Sequence, residues 1–468
     1  MSLSNFITHF KSVLRFHILL ILFVGSSSTT FSQNIAGDWT GQLKFGGSTL
    51  DLNFKIFKVE AGYTSLLSVP AQGVSDMEAT STSVSDSVLR IEIRPLGLTY
   101  QGKWKSADTI QGNFNQNGMA LKLDLTRGEK AFLRPQEPLP PFSYYEEHVV
   151  FRNEKDSLNL SGTLTLPRQS DKFPVVVLVS GSGPQDRNSQ VMGHKPFLLL
   201  AHELTKSGVG VLRYDERGVG ASEGDFAAAT LEDFTTDVKA AITFLKQRPD
   251  IDPKQIGLLG HSLGGIIAPQ VAITEEASFL ILMAAPGIDG DKLLLQQRAD
   301  ILKLNGLNKT QIEQSNAIFK STYAFLKSTD AVGTELNTKL SQFLNDHFSE
   351  QMGEKERELV LEQVTRLELL GLLRNQPSDY LSKVQCPVLA IGGSKDVQVA
   401  SEPNLNAIKS LIQHSGNPKV EIKTFEGVNH LFQNCKTGDV TEYAEIDETM
   451  SPEVLKHIIS WVTTHTTR

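Results

Sequence analysis

Cysteine is nearly absent from this chain: 468 residues contain two, Cys386 and Cys435, which excludes a disulfide framework as the basis of the fold. Metal-binding patterns are missing too. The 11 histidines are scattered, with no H-E-x-x-H and no paired-cysteine spacing, so neither a metal nor another cofactor is expected. Positive charge is in deficit, 45 Lys and Arg against 53 Asp and Glu, and no basic patch occurs; the formal net charge of −8 argues against a nucleic-acid partner. Long apolar runs are also lacking. The run Ile18–Val24 is too short to span a bilayer and no other run is long and apolar enough to do so, so no membrane span is expected in the mature chain. What remains is a globular composition, 40% hydrophobic and 21% charged, with ample chain for a large core.

The apolar run has a meaning of its own. Lys11 and Arg15 precede it and Ser26–Thr30 follow, the layout of a secretory signal peptide over residues 1–33 with cleavage near Gln33. Its removal would take the net charge to −10, because Lys11 and Arg15 are the segment's only charges. A secreted or periplasmic location follows as an expectation, and both cysteines would then meet an oxidising compartment. A Cys386–Cys435 bridge and two free thiols both stay open.

Gly260-His261-Ser262-Leu263-Gly264, followed by Gly265, lies between the apolar run Ile256–Leu259 and the helix-like Ile266–Ala272. G-x-S-x-G in a strand, turn, helix context is the pattern of a nucleophile elbow, in which small residues let a strained serine stand exposed. A serine hydroxyl needs a base to take its proton. Downstream, the strand Pro387–Ile391 ends in Gly392-Gly393-Ser394-Lys395-Asp396, and the strand Val420–Phe425 is followed by Gly427-Val428-Asn429-His430. Ser262 as nucleophile, Asp396 as acid and His430 as base form one candidate catalytic set, in the chain order Ser…Asp…His. Negative charge developing on a substrate carbonyl needs backbone donors. Leu263 is one candidate, and Ser182, in the loop Ser180–Pro184 after the strand Phe173–Val179, is the other, with Gly183 as its alternate. His261 is read as a packing or pocket residue. Asp215, Arg217 and Ser222 are read as holding the loop after the strand Val209–Tyr214.

From about Tyr144 onward the chain resembles the α/β-hydrolase superfamily, and more closely bacterial serine esterases of the EstD type. The resemblance rests on Gly181-Ser182-Gly183-Pro184-Gln185-Asp186-Arg187, Tyr214–Ser222, Gly260–Gly265 and Gly427–His430. It implies hydrolysis of a small-molecule carboxylic ester through a Ser-Asp-His triad and an acyl-enzyme. A serine peptidase or amidase of the prolyl-oligopeptidase-like type, and a catalytically silent hydrolase-fold binding protein, are the other readings.

The rest of the chain divides around that region. Residues 34–134 alternate at strand period, from Trp39–Phe45 through Met119–Leu125, and predict an all-β domain closing as a barrel or sandwich. Within it Trp39, Tyr63, Tyr100 and Trp104 are weighed as a carbohydrate platform against core packing. The proline-rich stretch 135–143 reads as an extended, semi-rigid linker. Residues 144–468 then alternate strands and helices, an α/β-hydrolase fold with a mainly parallel sheet. Within them, 287–384 is poor in Gly and Pro and shows helical periodicity over Gln311–Leu326, Glu335–Phe348 and Glu354–Leu373. This insertion predicts a helical cap that turns Leu293, Leu294, Phe319 and Phe325 toward the catalytic edge.

Overall fold

The computed structural model describes residues 35–45, 48–59, 62–69, 74–116, 118–128, 134–168, 172–414 and 416–466; the expected signal peptide lies outside them. The chain forms two compact units, Met1–Lys130 and Ala131–Arg468.

In the first unit nine antiparallel strands follow one another: β1 (Gly37–Phe45), β2 (Ser48–Val59), β3 (Gly62–Val69), β4 (Val74–Glu78), β5 (Ser81–Ser85), β6 (Val88–Ile93), β7 (Leu98–Ser106), β8 (Thr109–Gln116) and β9 (Met119–Arg127). Their order is β2-β1-β9-β8-β7-β6-β5-β3, and β2 also pairs with β3, so eight strands close into a barrel with β4 attached to β3. That pairing decides between barrel and sandwich. The period-2 alternation of β7 turns Leu98, Tyr100, Gly102 and Trp104 inward. Trp39, Tyr100 and Trp104 belong to the core, and Tyr63 packs partly buried against it. Two facing glycines make room for the Tyr100 ring, since a Cβ at Gly102 or Gly112 would fall 2.4 or 2.5 Å from its hydroxyl oxygen.

The second unit is built on an eight-stranded sheet. Antiparallel β10 (Tyr145–Asn153) and β11 (Leu158–Leu166) precede β12 (Phe173–Val179), β13 (Gly210–Tyr214), β14 (Ile251–His261), β15 (Leu280–Met283), β16 (Val388–Gly393) and β17 (Val420–Phe425). The order β10-β11-β13-β12-β14-β15-β16-β17 is parallel from β13 onward. β12, β13, β15 and β16 are buried along their whole length, which is why β12, β15 and β16 read as unbroken apolar runs, while β13 carries the buried Arg213.

The helices are α1 (Pro196–Lys206), α2 (Leu231–Lys246), α3 (Gly264–Glu275), α4 (Gly290–Leu304), α5 (Lys309–Lys327), α6 (Gly333–Phe348), α7 (Glu354–Val364), α8 (Leu367–Arg374), α9 (Ser378–Leu381), α10 (Ser401–His414) and α11 (Pro452–His465). One core joins the sheet to α2, α3 and α10, and the other joins it to α1 and α11. An α/β-hydrolase sheet covered on both faces is the result.

Helices α4 to α9 fill the expected insertion between β15 and β16 and carry a core of their own around Leu326, Leu336, Leu340 and Leu344. One helix expected over 354–373 is two. Thr365 donates its hydroxyl to Leu361 O at 2.8 Å and Arg366 turns extended at ψ 132°, so the side chain competes with the helical ladder where the helix breaks. The proline-rich segment also departs from a free spacer. Arg134 donates to the carbonyls of Ile446, Ala444 and Met192 at 2.7–3.1 Å, and Gln136 both donates to Met450 O and accepts from Thr449 N and Met450 N. Arg134, assigned by its sequence to the β-domain, falls in the second unit, where its guanidinium supplies donors to three part-buried carbonyls.

Candidate active site

Every sequence-derived site residue lies beyond the carboxyl ends of the parallel strands, the edge at which open α/β sheets bind ligands. Ser262 follows β14 at φ 54°, in the left-handed region that costs a non-glycine residue strain. Its neighbours show why glycine is needed. A Cβ on Gly260 would lie 2.2 Å from Gly264 O, and one on Gly264 the same distance from Val179 O. Hydrogen bonds from Ser262 N to Met283 O at 2.9 Å and from Gly265 N to Ser262 O at 2.8 Å hold the turn.

Asp396 and His430 are brought together from β16 and β17. His430 Nδ1 donates to Asp396 Oδ2 at 2.8 Å, while Asp396 Oδ1 accepts from Gln398 N at 2.9 Å and Val399 N at 2.8 Å. Both side chains are buried, at 6% and 4% residue exposure. Because a carboxylate only accepts, Nδ1 carries the hydrogen and Nε2 is left with a lone pair. Gly393 allows the two loops to approach, as a Cβ there would be 2.1 Å from Val428 O.

Ser262 and His430 open into one cavity of about 350 Å³, together with Leu263, Gly181 and Ser182. Gly181 packs against the nucleophile turn, where a Cβ in place of its hydrogen would lie 3.2 Å from Ser262 Cβ. Leu263, next in sequence to the serine, and Ser182, the expected carbonyl-oxygen donors, line the same cavity. Gly183, the alternate, is committed elsewhere: its N–H donates to Glu368 Oε1 at 2.9 Å. His261 is neutral, since burial and the neighbouring His430 hold its pKa down at about 4. Its Nε2–H donates to His430 O at 3.0 Å, so it braces the base's backbone. Asp215 is spent on Arg187, Arg217 on Asp237 and Asp156, and Ser222 on Ser161 N and Asp215 O. Cys386 and Cys435 are free thiols, and burial raises the pKa of each.

The cap supplies Leu293, Leu294, Leu369 and Leu372 to the cavity wall. Phe319 lines an adjoining cavity, whereas Phe325, expected at the catalytic edge, stacks on Phe343 inside the cap's own core at 4.5 Å between centroids. Three contributors escaped the sequence. Tyr443 and Val440 come from the segment after His430, and Glu368 ties α8 to the Ser182–Gly183 loop; nothing local in their sequence marks them. Beneath that loop Glu216 accepts from Ser180 Oγ at 2.8 Å and Gln185 N at 2.9 Å, and burial pushes its carboxyl up to about 8. Among the described residues no group of three or more His, Cys, Asp or Glu is placed to hold a metal ion, and no helix is long and apolar enough to cross a membrane.

Residues 194–434, just over half of the chain and including Ser262, Asp396 and His430, match the family model described as serine aminopeptidase, S33. Over 320 residues the chain is 27% identical to the esterase EstD of Thermotoga maritima, covering 68% of this chain and 67% of that protein. It is 26% identical over 254 residues to an uncharacterized 31.7 kDa protein of Escherichia coli, 52% of this chain and 80% of that one. An esterase structure from Pyrococcus furiosus covers 69% of this chain and 93% of its own, at 18% identity and a TM-score of 0.41. With the family model spanning the sheet edge that carries these residues, the chain belongs to the S33 serine aminopeptidase family of α/β-hydrolase-fold serine hydrolases.

Proposed function

We propose that the protein is a serine carboxylesterase that hydrolyses short-chain carboxylic esters. The reading is carried by one observation, the hydrogen-bonded Asp396–His430 pair, whose histidine shares a cavity with a serine held at φ 54°. His430 Nε2 takes the Ser262 proton as Oγ attacks the ester carbonyl. The N–H groups of Leu263 and Ser182 receive the oxyanion, and the protonated imidazole then returns the proton to the leaving alcohol. Water repeats the sequence on the acyl-enzyme. Asp396 keeps the imidazole in the productive tautomer and stabilises its charged form. The esterase name of the Thermotoga relative supports the same reaction class. A cavity roofed by four leucines has finite length, and each methylene gains about 0.8 kcal/mol only while it stays buried. Acyl chains of about two to six carbons are therefore preferred.

An aminopeptidase is the second reading, favoured by the description of the matched family. A panel of p-nitrophenyl esters beside aminoacyl p-nitroanilides separates the two, with a fluorophosphonate probe labelling Ser262 in the wild type and nothing in Ser262→Ala. Faster turnover of the anilides would replace esterase by peptidase, and absence of labelling would favour a silent binding protein. We further propose that residues 1–33 direct export, on the strength of Lys11, Arg15 and the apolar run that follows. Cell fractionation with terminal sequencing of the mature protein tests this.

A further inference from the structure

The cap carries a second, half-open cavity beside the first. It measures about 260 Å³ and is lined by Leu294, Ile301, Phe319, Tyr323 and Leu369, with Gln297 and Arg298. Leu294, Gln297 and Leu369 belong to both cavities, so the second begins at the wall of the first. Its volume lies below the roughly 300 Å³ at which whole small-molecule sites begin, a size suited to one arm of a ligand.

Arg298 is the feature that apolar packing does not explain. Its guanidinium lies 3.6 Å from the centroid of the Phe319 ring and donates from Nη2 to Ser315 Oγ at 2.8 Å. Nε is buried and has no hydrogen-bond partner. Among the described residues no carboxylate lies within ion-pair distance of it, although 53 Asp and Glu are available in the chain. An arginine placed among apolar side chains is costly unless its charge is answered, and its planar fork is shaped for a carboxylate. Tyr323, itself buried, lines the same cavity, and burial raises the pKa of its hydroxyl.

We propose that this cavity is a subsite for a substrate arm ending in a carboxylate, with Arg298 as the residue that receives the anion. The inference rests on the esterase reading above and specifies its substrate class: esters in which a short apolar arm separates the scissile carbonyl from a terminal carboxylate. A single guanidinium matches one negative charge, and Leu294 and Leu369, shared by the two cavities, match methylenes.

The test compares kcat/KM for the p-nitrophenyl half-ester of adipic acid with that for p-nitrophenyl hexanoate, and, for the alcohol arm, phenyl acetates with and without a distal carboxylate. A charge-assisted hydrogen bond to this partly buried guanidinium predicts a roughly tenfold preference for the carboxylate member of one series. Arg298→Gln should remove most of that ratio and Arg298→Lys restore part of it. A wild-type ratio of one or less in both series overturns the proposal, whatever the variants do. So does a ratio unchanged in Arg298→Gln while its melting temperature falls, which would make Arg298 only a clamp between α4 and α5. If no ester is hydrolysed, the esterase reading fails by itself. Calorimetry on the full-length Ser262→Ala protein still decides the subsite: monomethyl adipate binding at least tenfold tighter than methyl hexanoate, which lacks the distal carboxylate, supports it, and equal affinity overturns it.

Discussion

Asp396→Asn puts the proposed triad under a defined strain. Asp396 Oδ1 accepts two backbone N–H groups, from Gln398 and Val399, and Oδ2 accepts one imidazole N–H. An asparagine keeps its oxygen on the two amides, because turning it would set its NH₂ against both. The NH₂ then faces His430 Nδ1 and forces that nitrogen to accept. The imidazole hydrogen moves to Nε2, the atom that must take the Ser262 proton. In serine proteases the same exchange costs about 10⁴-fold, or roughly 5.5 kcal/mol of transition-state stabilisation. The fold should tolerate it. Three charge-assisted bonds each weaken by about 1 kcal/mol, while a neutral amide costs less to bury than a carboxylate, so the net loss stays within about 2 kcal/mol. The assay is kcat/KM on p-nitrophenyl butyrate beside a circular-dichroism melt. A folded Asp396→Asn protein within tenfold of wild type would refute the tautomer argument and the assignment of the acid.

Glu368→Ala removes the carboxylate that accepts from Gly183 N and leaves the oxyanion-side loop untethered; kcat should fall about tenfold with KM little changed, and Glu368→Gln should recover most of it. Glu216 has a folded pKa of about 8, above its usual 4.5, so the folded state holds the proton more tightly. The stability this contributes is complete below pH 4.5 and is lost progressively as the pH rises to 8. Melting temperatures of wild type should fall across that window more steeply than those of Glu216→Gln; parallel curves would contradict the shift. Arg134→Ala in the full chain leaves three carbonyls without their donor and should lower stability by about 2–3 kcal/mol. Because Tyr443 of the anchored segment lines the cavity, kcat/KM should drop as well; an unchanged melt and unchanged kinetics would return the segment to a passive spacer.

The sequence by itself determined whatever is decided over a few neighbouring residues. Gly260, Gly264 and Gly265 announce the elbow because the steric demands of that turn are local, and each displays a contact that a methyl group would violate. Unbroken apolar runs identify β12 and β16, since strands buried on both faces carry no alternation. The turns after β16 and β17 exposed Asp396 and His430, and the chain order did the rest. The tertiary structure alone decided what depends on groups far apart in the chain. Barrel rather than sandwich turned on the β2–β3 pairing, which closes a ring that period-2 alternation cannot distinguish from two packed sheets. The Glu368–Gly183 bond spans 185 residues and the Arg134–Ile446 bond 312. In both, one partner is a backbone group, present at every residue and therefore invisible in the sequence, and only folding selects which one meets the side chain.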